Sequence, residues 1–295
     1  MAKNSTIEWT HHTFNPWWGC TKVSPGCKHC YAETWAHRVG QEVWGPKAPR
    51  RELTPSYWEQ PYAWNEEARK RKARTRVFCA SMADVFEDRR DLDDKRARLW
   101  EVIDQTPALD WLLLTKRPEN VSRFAPWGKQ WPHNVWIGAT AENQRWLDKR
   151  MAVLTTLPAR VVFLSCEPLL GPLDLSQWID GARRGTHRAI DWVIGGGESG
   201  HHARPMHPEW LTVLRDQCVA AGVKFLFKQW GNWRPVLPHQ VNGHESKAVF
   251  LSNGNRIILA NVGKKEAGRR LQGRTWDEFP EPFGRLGQDY SKMSA

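Results

Sequence analysis

Short apolar runs recur along the chain and are separated by stretches with helical spacing. Each run is apolar on successive positions, which is typical of parallel strands buried on both faces. The sequence predicts strands at residues 76–81, 110–115, 135–138, 160–165, 190–195 and 224–228, with a first strand near 14–18. Helical spacing of apolar residues predicts helices at about 92–105, 142–156 and 208–221. This alternation of strands and helices is typical of the α/β class.

Polar residues follow each of these apolar runs. In α/β proteins, the chemistry lies just beyond the carboxyl ends of parallel strands. Six such ends and a first strand predict a partial or full TIM-like (β/α) barrel with one functional rim. A set of solvated loops without a shared site is the alternative that the pattern leaves open.

The character of the chain changes after residue 232. Pro, Gly and His become frequent, and apolar residues at 248–259 flank Asn253-Gly254, a pair typical of a tight hairpin turn. We predict a barrel domain at residues 1–232 and a C-terminal appendage with a β-hairpin at residues 233–295. Residues 40–75 contain Pro and Trp and end in a basic run, and we predict that they are an insertion into the barrel domain.

Charge and composition narrow the class of protein. The 295 residues include 43 Lys and Arg against 32 Asp and Glu, which gives a formal net charge of +11. No apolar run approaches the roughly 18 residues of a membrane-spanning helix, and the first residues lack the apolar core of a secretion signal. We therefore expect a cytoplasmic protein with no membrane partner. In that reducing compartment, the six cysteines are expected to be thiols or metal ligands rather than disulfides.

Three of the cysteines lie close together near the amino terminus. Cys20, Cys27 and Cys30 have the spacing C-x6-C-x2-C, on a loop that a Pro-Gly pair is expected to turn back on itself. Thiolates are soft ligands for zinc and for iron–sulfur centres. Three cysteines leave one iron of a [4Fe–4S] cluster open to an outside ligand, whereas His29 could complete a structural zinc site. The spacing fits both kinds of centre.

Longer segments around these cysteines resemble a known protein family. The segments include FNPWWGC at 14–20, GGESG at 196–200, FKQWG at 227–231 and WDEFP at 276–280, so the likeness extends over most of the chain. They are similar to an uncharacterised phage-type family whose three-cysteine motif is related to that of radical S-adenosylmethionine (SAM) enzymes. The resemblance implies a [4Fe–4S] cluster on the three cysteines, bound SAM, a reducing electron donor and hydrogen abstraction by a 5′-deoxyadenosyl radical.

The same resemblance implies roles for residues at the predicted strand ends. Ser81 and Asp84 correspond in position to the element that meets the methionyl amine, and the later GGE run resembles that element in sequence. Glu142 is similar in place to the residue that contacts the SAM ribose, and Lys116 or Arg117 would hold the SAM carboxylate. The cofactor-binding candidates are Ser81, Asp84, Lys116, Arg117, Glu142, Glu167, Gly196, Gly197 and Glu198. Tight turns and exposed salt bridges are the alternative interpretation of these residues.

Two further residues are candidates for catalysis. Cys166 lies beside Glu167 on the predicted rim, and we predict that it is a hydrogen donor. The motif departs from the commonest C-x3-C-x2-C pattern, because its first gap is longer and His29 stands where an aromatic residue usually precedes the last cysteine. Tyr31 is predicted to take that aromatic role, with Trp18 as the alternative.

Basic and aromatic residues indicate the kind of substrate. Six Lys or Arg lie within residues 69–76, five more lie within 264–274, and the chain has 19 tryptophans. Cationic grooves with aromatic platforms suit nucleic acids, because phosphates are neutralised and bases stack. We predict a radical SAM-like enzyme that acts on a nucleotide or nucleic acid, for base modification or lesion repair. The alternative is a non-catalytic nucleic-acid-binding protein with a structural zinc or iron–sulfur site.

Overall fold

A parallel sheet of seven strands forms the centre of the protein, in a computed structural model that describes residues 4–179 and 189–281. The strands within these residues are β1 (His12–Thr13), β2 (Trp17–Trp18), β3 (Arg51–Glu52), β4 (Thr75–Cys79), β5 (Leu109–Thr115), β6 (Val135–Thr140), β7 (Val161–Cys166), β8 (Trp192–Gly196), β9 (Lys224–Gln229), β10 (Trp233–Val236), β11 (Ser246–Phe250) and β12 (Arg256–Asn261). The order across the central sheet is β1-β4-β5-β6-β7-β8-β9. In the described residues, the outer strands β1 and β9 do not pair with each other. The barrel is therefore partial.

Helices connect most of the parallel strands, as the alternating pattern predicts. They are α1 (Tyr31–Arg38), α2 (Pro55–Trp58), α3 (Gln60–Arg71), α4 (Asp93–Gln105), α5 (Val121–Phe124), α6 (Gln144–Leu154), α7 (Ser176–Ile179), α8 (Pro208–Ala221) and α9 (Lys264–Ala267). The three helices expected from the sequence are confirmed as α4, α6 and α8. The residues at the ends of α8 explain where it begins and ends. Pro208 occupies its first turn, and Gly222 ends it with a φ of 71°. Every helix in the described part of the chain is too short or too polar to cross a membrane.

The two faces of the central sheet pack into separate apolar clusters. Successive side chains of a strand point to opposite faces, so Val77 joins the large cluster under the helices while Phe78 joins a smaller inner cluster. The inner cluster is rich in aromatic residues, and Trp9 closes it by packing 4.4 Å from the Phe78 ring. Because side chains fill the interior, the open space of the barrel lies at its rim.

The first strand differs from the expectation of one strand near residues 14–18. His12–Thr13 pairs with β4 in the central sheet, whereas Trp17–Trp18 pairs with β3 in a separate antiparallel ladder. The break falls at Asn15-Pro16. Pro16 has no backbone N–H to donate to a ladder, and the Asn15 side chain accepts a hydrogen bond from the Met82 backbone at 2.7 Å. This break sends the chain out of the sheet and towards the cysteines.

The carboxyl-terminal segment forms a small sheet of its own. The predicted hairpin is confirmed as β11 and β12, with Gly254 in its turn at a φ of 84°, and β10 pairs with the other edge of β12. The chain then returns to the barrel, where the Phe227 backbone donates to the Trp276 carbonyl at 3.0 Å. The proposed domain boundary at residue 233 stays a prediction, as does the insertion at 40–75, which contains α3.

Candidate functional site

A cavity lies where the carboxyl ends of the central strands meet the loop of residues 20–30, which we call the cysteine loop. We call this space the cysteine cavity. Parallel strands bring their carboxyl ends to one edge of the sheet, so residues far apart in sequence meet there. The predicted site residues that line it are Cys20, Cys27, Cys30, Tyr31, Ser81, Asp84, Lys116, Arg117 and Glu167. The structure therefore gathers all three cysteines and most strand-end candidates around one space.

Local structure fixes the three cysteines on the cysteine loop. Cys20 follows β2, Cys27 ends a short 3-10 helix that Pro25 begins, and Cys30 precedes the first turn of α1. All three are free and partly exposed, but the protein packs densely around the thiols. Burial raises the pKa of Cys20 to about 12, with Asp84 raising it further and Arg117 opposing the rise, and burial also raises the pKa of Cys30. Metal binding at these two thiols would therefore release protons at neutral pH.

An acid–arginine pair holds the start of the cysteine loop. The Arg117 Nη1 donates to Asp84 Oδ2 at 2.9 Å and to the Cys20 sulfur at 3.6 Å, while Nη2 donates to the Thr21 carbonyl at 2.6 Å. The Asp84 carboxylate also accepts the Thr115 hydroxyl at 2.8 Å. Asp84 and Arg117 thus line the cavity, but their polar atoms already form hydrogen bonds within the protein.

A second pair holds the middle of the loop. The Glu142 Oε1 accepts the Gly26 backbone N–H at 3.1 Å, and its Oε2 accepts Arg150 Nη1 at 2.8 Å. Both side chains of the pair are buried. Burial disfavours the ionised form of Glu142, but Arg150, the Ser24 hydroxyl and the Gly26 amide together hold its pKa below the usual value. Glu142 therefore contacts the cysteine loop between Cys20 and Cys27, at Ser24 and Gly26.

A third pair reaches the same loop from the end of β8. Arg204 makes two hydrogen bonds to the Glu198 carboxylate, at 2.6 and 2.8 Å, and its Nη2 donates to the Pro25 carbonyl at 3.1 Å. Three acid–arginine pairs thus contact the cysteine loop, the first at Cys20-Thr21 and the other two at Pro25-Gly26. We call them the loop clamps: Asp84–Arg117, Glu142–Arg150 and Glu198–Arg204. Sequence reasoning missed Arg150 and Arg204. Arg204 lies four residues after the GGESG segment, whereas Arg150 lies in α6 without a motif.

Three other candidates retain polar atoms that face the cavity. Lys116 contacts the Thr140 hydroxyl through Nζ at 3.2 Å and forms no ion pair within the described residues. Glu167 pairs with Lys228 at 2.9 Å, and the Tyr31 hydroxyl donates to the Ser81 carbonyl at 3.0 Å. The Tyr31 phenol is protonated at neutral pH, because the ordinary pKa of tyrosine is about 10. The cavity therefore combines thiols, a phenol and a lysine without an acidic partner.

Cys166 and the glycine run lie away from this cavity. Cys166 is fully buried in the large apolar cluster and is not among the residues that line the cavity. Gly196 belongs to β8, and a Cβ on Gly197 would lie 1.9 Å from the Trp230 carbonyl oxygen. The structure thus shows close backbone packing at Gly197, and the catalytic role of Cys166 stays a prediction.

Gly197→Ala is expected to destabilise the fold by about 3 kcal/mol or more, because the added methyl group meets a backbone oxygen that cannot rotate away. Urea unfolding of protein prepared without iron or SAM measures this effect. Gly171→Ala is the matched control, since its Cβ would make only an ordinary contact at 3.5 Å. A Gly197→Ala protein as stable as this control would contradict the packing role.

The side chains around the cysteine cavity can be compared with the ligands that zinc and iron–sulfur centres use. Within residues 4–179 and 189–281, no group of three or more His, Cys, Asp or Glu converges on a single metal ion. Thiolates on one zinc must lie about 4 Å apart, whereas a cubane cluster binds each cysteine at a different iron corner. The other cysteines of the chain, Cys79, Cys166 and Cys218, are buried. By number and kind of donor, three free thiols that line one cavity match the protein ligands of a [4Fe–4S] cluster with one open iron.

The two basic concentrations have different positions in the fold. Residues 69–76 span the end of α3 and the start of β4, at the amino ends of the strands, and Arg74 pairs there with Asp110 at 2.7 Å. They therefore lie at the opposite end of the sheet from the cysteine cavity. Of the five basic residues within 264–274, Lys264 lines a second cavity beside the first.

Comparisons with known proteins give a family and one similar structure. A family model described as "Protein of unknown function (DUF5131)" matches residues 4–280. None of the curated proteins that were compared matches the sequence. A solved structure of a cysteine-to-serine mutant of spore photoproduct lyase matches at 12% sequence identity, with a TM-score of 0.46, over 88% of this chain and 71% of that chain. The chain belongs to the DUF5131 family of proteins of unknown function.

Proposed function

We propose that the protein is a radical SAM-like enzyme whose Cys20, Cys27 and Cys30 ligate a [4Fe–4S] cluster. The observation that carries this proposal is the gathering of three free thiols, without a fourth cysteine, around one cavity at the carboxyl rim of a partial barrel. The proposed substrate is a nucleotide or nucleic acid, and the proposed reaction is base modification or lesion repair. A reducing electron donor is required for this chemistry.

Side chains around the cavity suit the polar groups of SAM bound beside a cluster. When bound, a cluster and SAM together supply a 5′-deoxyadenosyl radical, as the family resemblance implies. Within the described residues, the Lys116 ammonium group has no acidic partner, which suits the SAM carboxylate. Glu167 is positioned by Lys228 and suits a hydroxyl or amine of the ligand. We propose that Tyr31, which lines the cavity next to Cys30, takes the role of the aromatic residue that usually precedes the last cysteine of the motif.

Anaerobic reconstitution tests the proposal. Protein loaded with iron and sulfide is expected to be brown, to hold about four irons per chain, and to release 5′-deoxyadenosine when SAM and a reductant are added. Added nucleic acid is expected to increase that release. A colourless protein that binds zinc, takes up no iron and leaves SAM intact would contradict the proposal and would favour a non-catalytic nucleic-acid-binding protein.

A further inference from the structure

A second cavity adjoins the cysteine cavity and is much larger. Its volume is about 900 Å³, and it shares Cys30, Tyr31, Ser81, Met82 and Lys228 with the first cavity. We call it the outer cleft. Ligand sites in proteins measure about 300–1,000 Å³, so the outer cleft has room for a nucleotide and its neighbours. A ligand in the outer cleft would lie directly beside the cysteines.

The rim of the outer cleft has an excess of positive charge. Lys28, Arg38 and Lys264 line it, are exposed, and form no ion pair within the described ranges. Its acidic residue Glu33 is already paired with Lys22 at 2.6 Å. These cations come from the cysteine loop, α1 and α9, so three separate elements bring positive charge to one cleft. Unpaired cations in this arrangement suit a ligand with several phosphates.

Aromatic rings form one wall of the same cleft. Tyr31 and Trp35 are four residues apart on α1 and therefore lie on one helix face. They are 52% and 45% exposed, whereas most tryptophans of the chain are buried. Large rings that remain exposed beside unpaired cations suit the stacking of bases. Bases offer their faces for stacking only when they are unpaired or flipped out of a duplex.

A buried polar group without a partner lies in the cleft. Gln229, at the end of β9, is 6% exposed and lines the cleft, and its Oε1 has no hydrogen-bond partner among the described residues. Buried polar atoms normally have partners, so an unpaired one in a cavity indicates a ligand contact. A side-chain amide both donates and accepts, as the hydrogen-bonding edge of a base does.

We propose that the outer cleft binds single-stranded nucleic acid, with bases stacked on Tyr31 and Trp35 and phosphates on Lys28, Arg38 and Lys264. Gln229 contacts the edge of the base that lies nearest the cysteine cavity. This inference rests on the proposed function and specifies its substrate as a single strand or a flipped nucleotide. The basic run at residues 69–76 has no part in this binding, because it lies at the other end of the sheet.

Fluorescence anisotropy with labelled oligonucleotides tests the outer cleft in the whole chain, measured once after treatment with iron and sulfide and once without it. Single-stranded DNA and RNA are the two arms, and a duplex of the same sequence is the comparison. We expect at least one single strand to bind at least about tenfold more tightly than the duplex. Trp35→Ala is expected to weaken that binding about tenfold, since stacking on one ring contributes about 1–3 kcal/mol per base. Lys264→Ala is expected to weaken it and to lower the salt slope by about 0.7.

Two variants provide matched controls. Phe250→Ala removes an exposed ring on β11, and Lys70→Ala removes a lysine of the basic run, both outside the outer cleft. Both are expected to bind single strands as the wild type does. Gln229→Leu is expected to reduce the differences in affinity for the four single strands that each contain one kind of base. Tighter binding of the duplex, or equal binding by Trp35→Ala, Lys264→Ala and their controls, would overturn the inference.

The outcomes separate this inference from the proposed function. A protein that cleaves SAM but binds no single strand would refute the cleft assignment and leave the enzyme class standing. A protein that binds single strands through these residues but neither loads iron nor cleaves SAM would refute the enzyme and leave the cleft standing.

Discussion

Replacement of Cys20, Cys27 or Cys30 by alanine, one at a time, is expected to abolish cluster loading and SAM cleavage. Each cysteine lines the same cavity, and the described residues offer no other free cysteine there that could replace it. A cubane cluster that loses one of three protein ligands has two irons open to solvent. Iron per chain is expected to fall from about four towards zero, and 5′-deoxyadenosine release to the level of a reaction without protein. Iron analysis, visible absorption and product chromatography measure these losses.

Cys218→Ala is the matched control for these variants. Cys218 is fully buried in α8, outside the cysteine cavity, so its loss is expected to cost about 1 kcal/mol of stability. It is expected to leave iron content and SAM cleavage unchanged. Full cluster content in any of the three single variants, or an equal loss in Cys218→Ala, would show that these cysteines do not act as the ligands.

The fold could be predicted closely where burial alone determines the pattern. The strands β5 to β8 are almost entirely buried, so their sequences are largely apolar and their positions could be predicted directly. The polar strand ends were predicted to share a rim, and Lys116 and Glu167 do line one cavity. The first strand could not be placed, because its two residues at 12–13 are too few to form a pattern.

The contacts of the charged candidates could not be predicted from the sequence. Glu142 and Glu198 stand at strand ends, as a cofactor-binding acid would, but arginines from α6 and from the loop after β8 occupy their carboxylates. Pairing of this kind depends on tertiary contacts, which leave no periodic signal. Similarly, the density of basic residues at 69–76 favoured a nucleic-acid surface there. The cations that line the outer cleft are instead scattered singly along the chain.

Glu142→Gln is expected to lower the free energy of unfolding by about 3–5 kcal/mol at neutral pH. The substitution keeps the shape of the side chain but leaves Arg150 as a buried charge without its partner, which is among the costliest single changes in a protein. The contact with the Gly26 amide would also weaken, because a neutral amide oxygen accepts less strongly than a carboxylate. Urea unfolding at pH 7, with iron-free protein, measures the change. Iron uptake is expected to fall as well, since Gly26 lies next to Cys27.

The exposed pair Arg234–Glu266 provides the control for this prediction. Glu266→Gln makes the same acid-to-amide change at a surface pair and is expected to cost less than about 1 kcal/mol of stability.

The pH dependence of stability gives a second check on the Glu142–Arg150 pair. Because the folded-state pKa of Glu142 is lowered, its ionised form contributes stability that is fully present above the unfolded-state pKa of about 4.3. That contribution is lost as the pH falls through the folded-state pKa. The stability difference between wild type and Glu142→Gln should therefore shrink on acidification below about pH 4. A difference that stays constant there, or a Glu142→Gln cost no larger than that of Glu266→Gln, would mean that this clamp does not stabilise the folded cysteine loop.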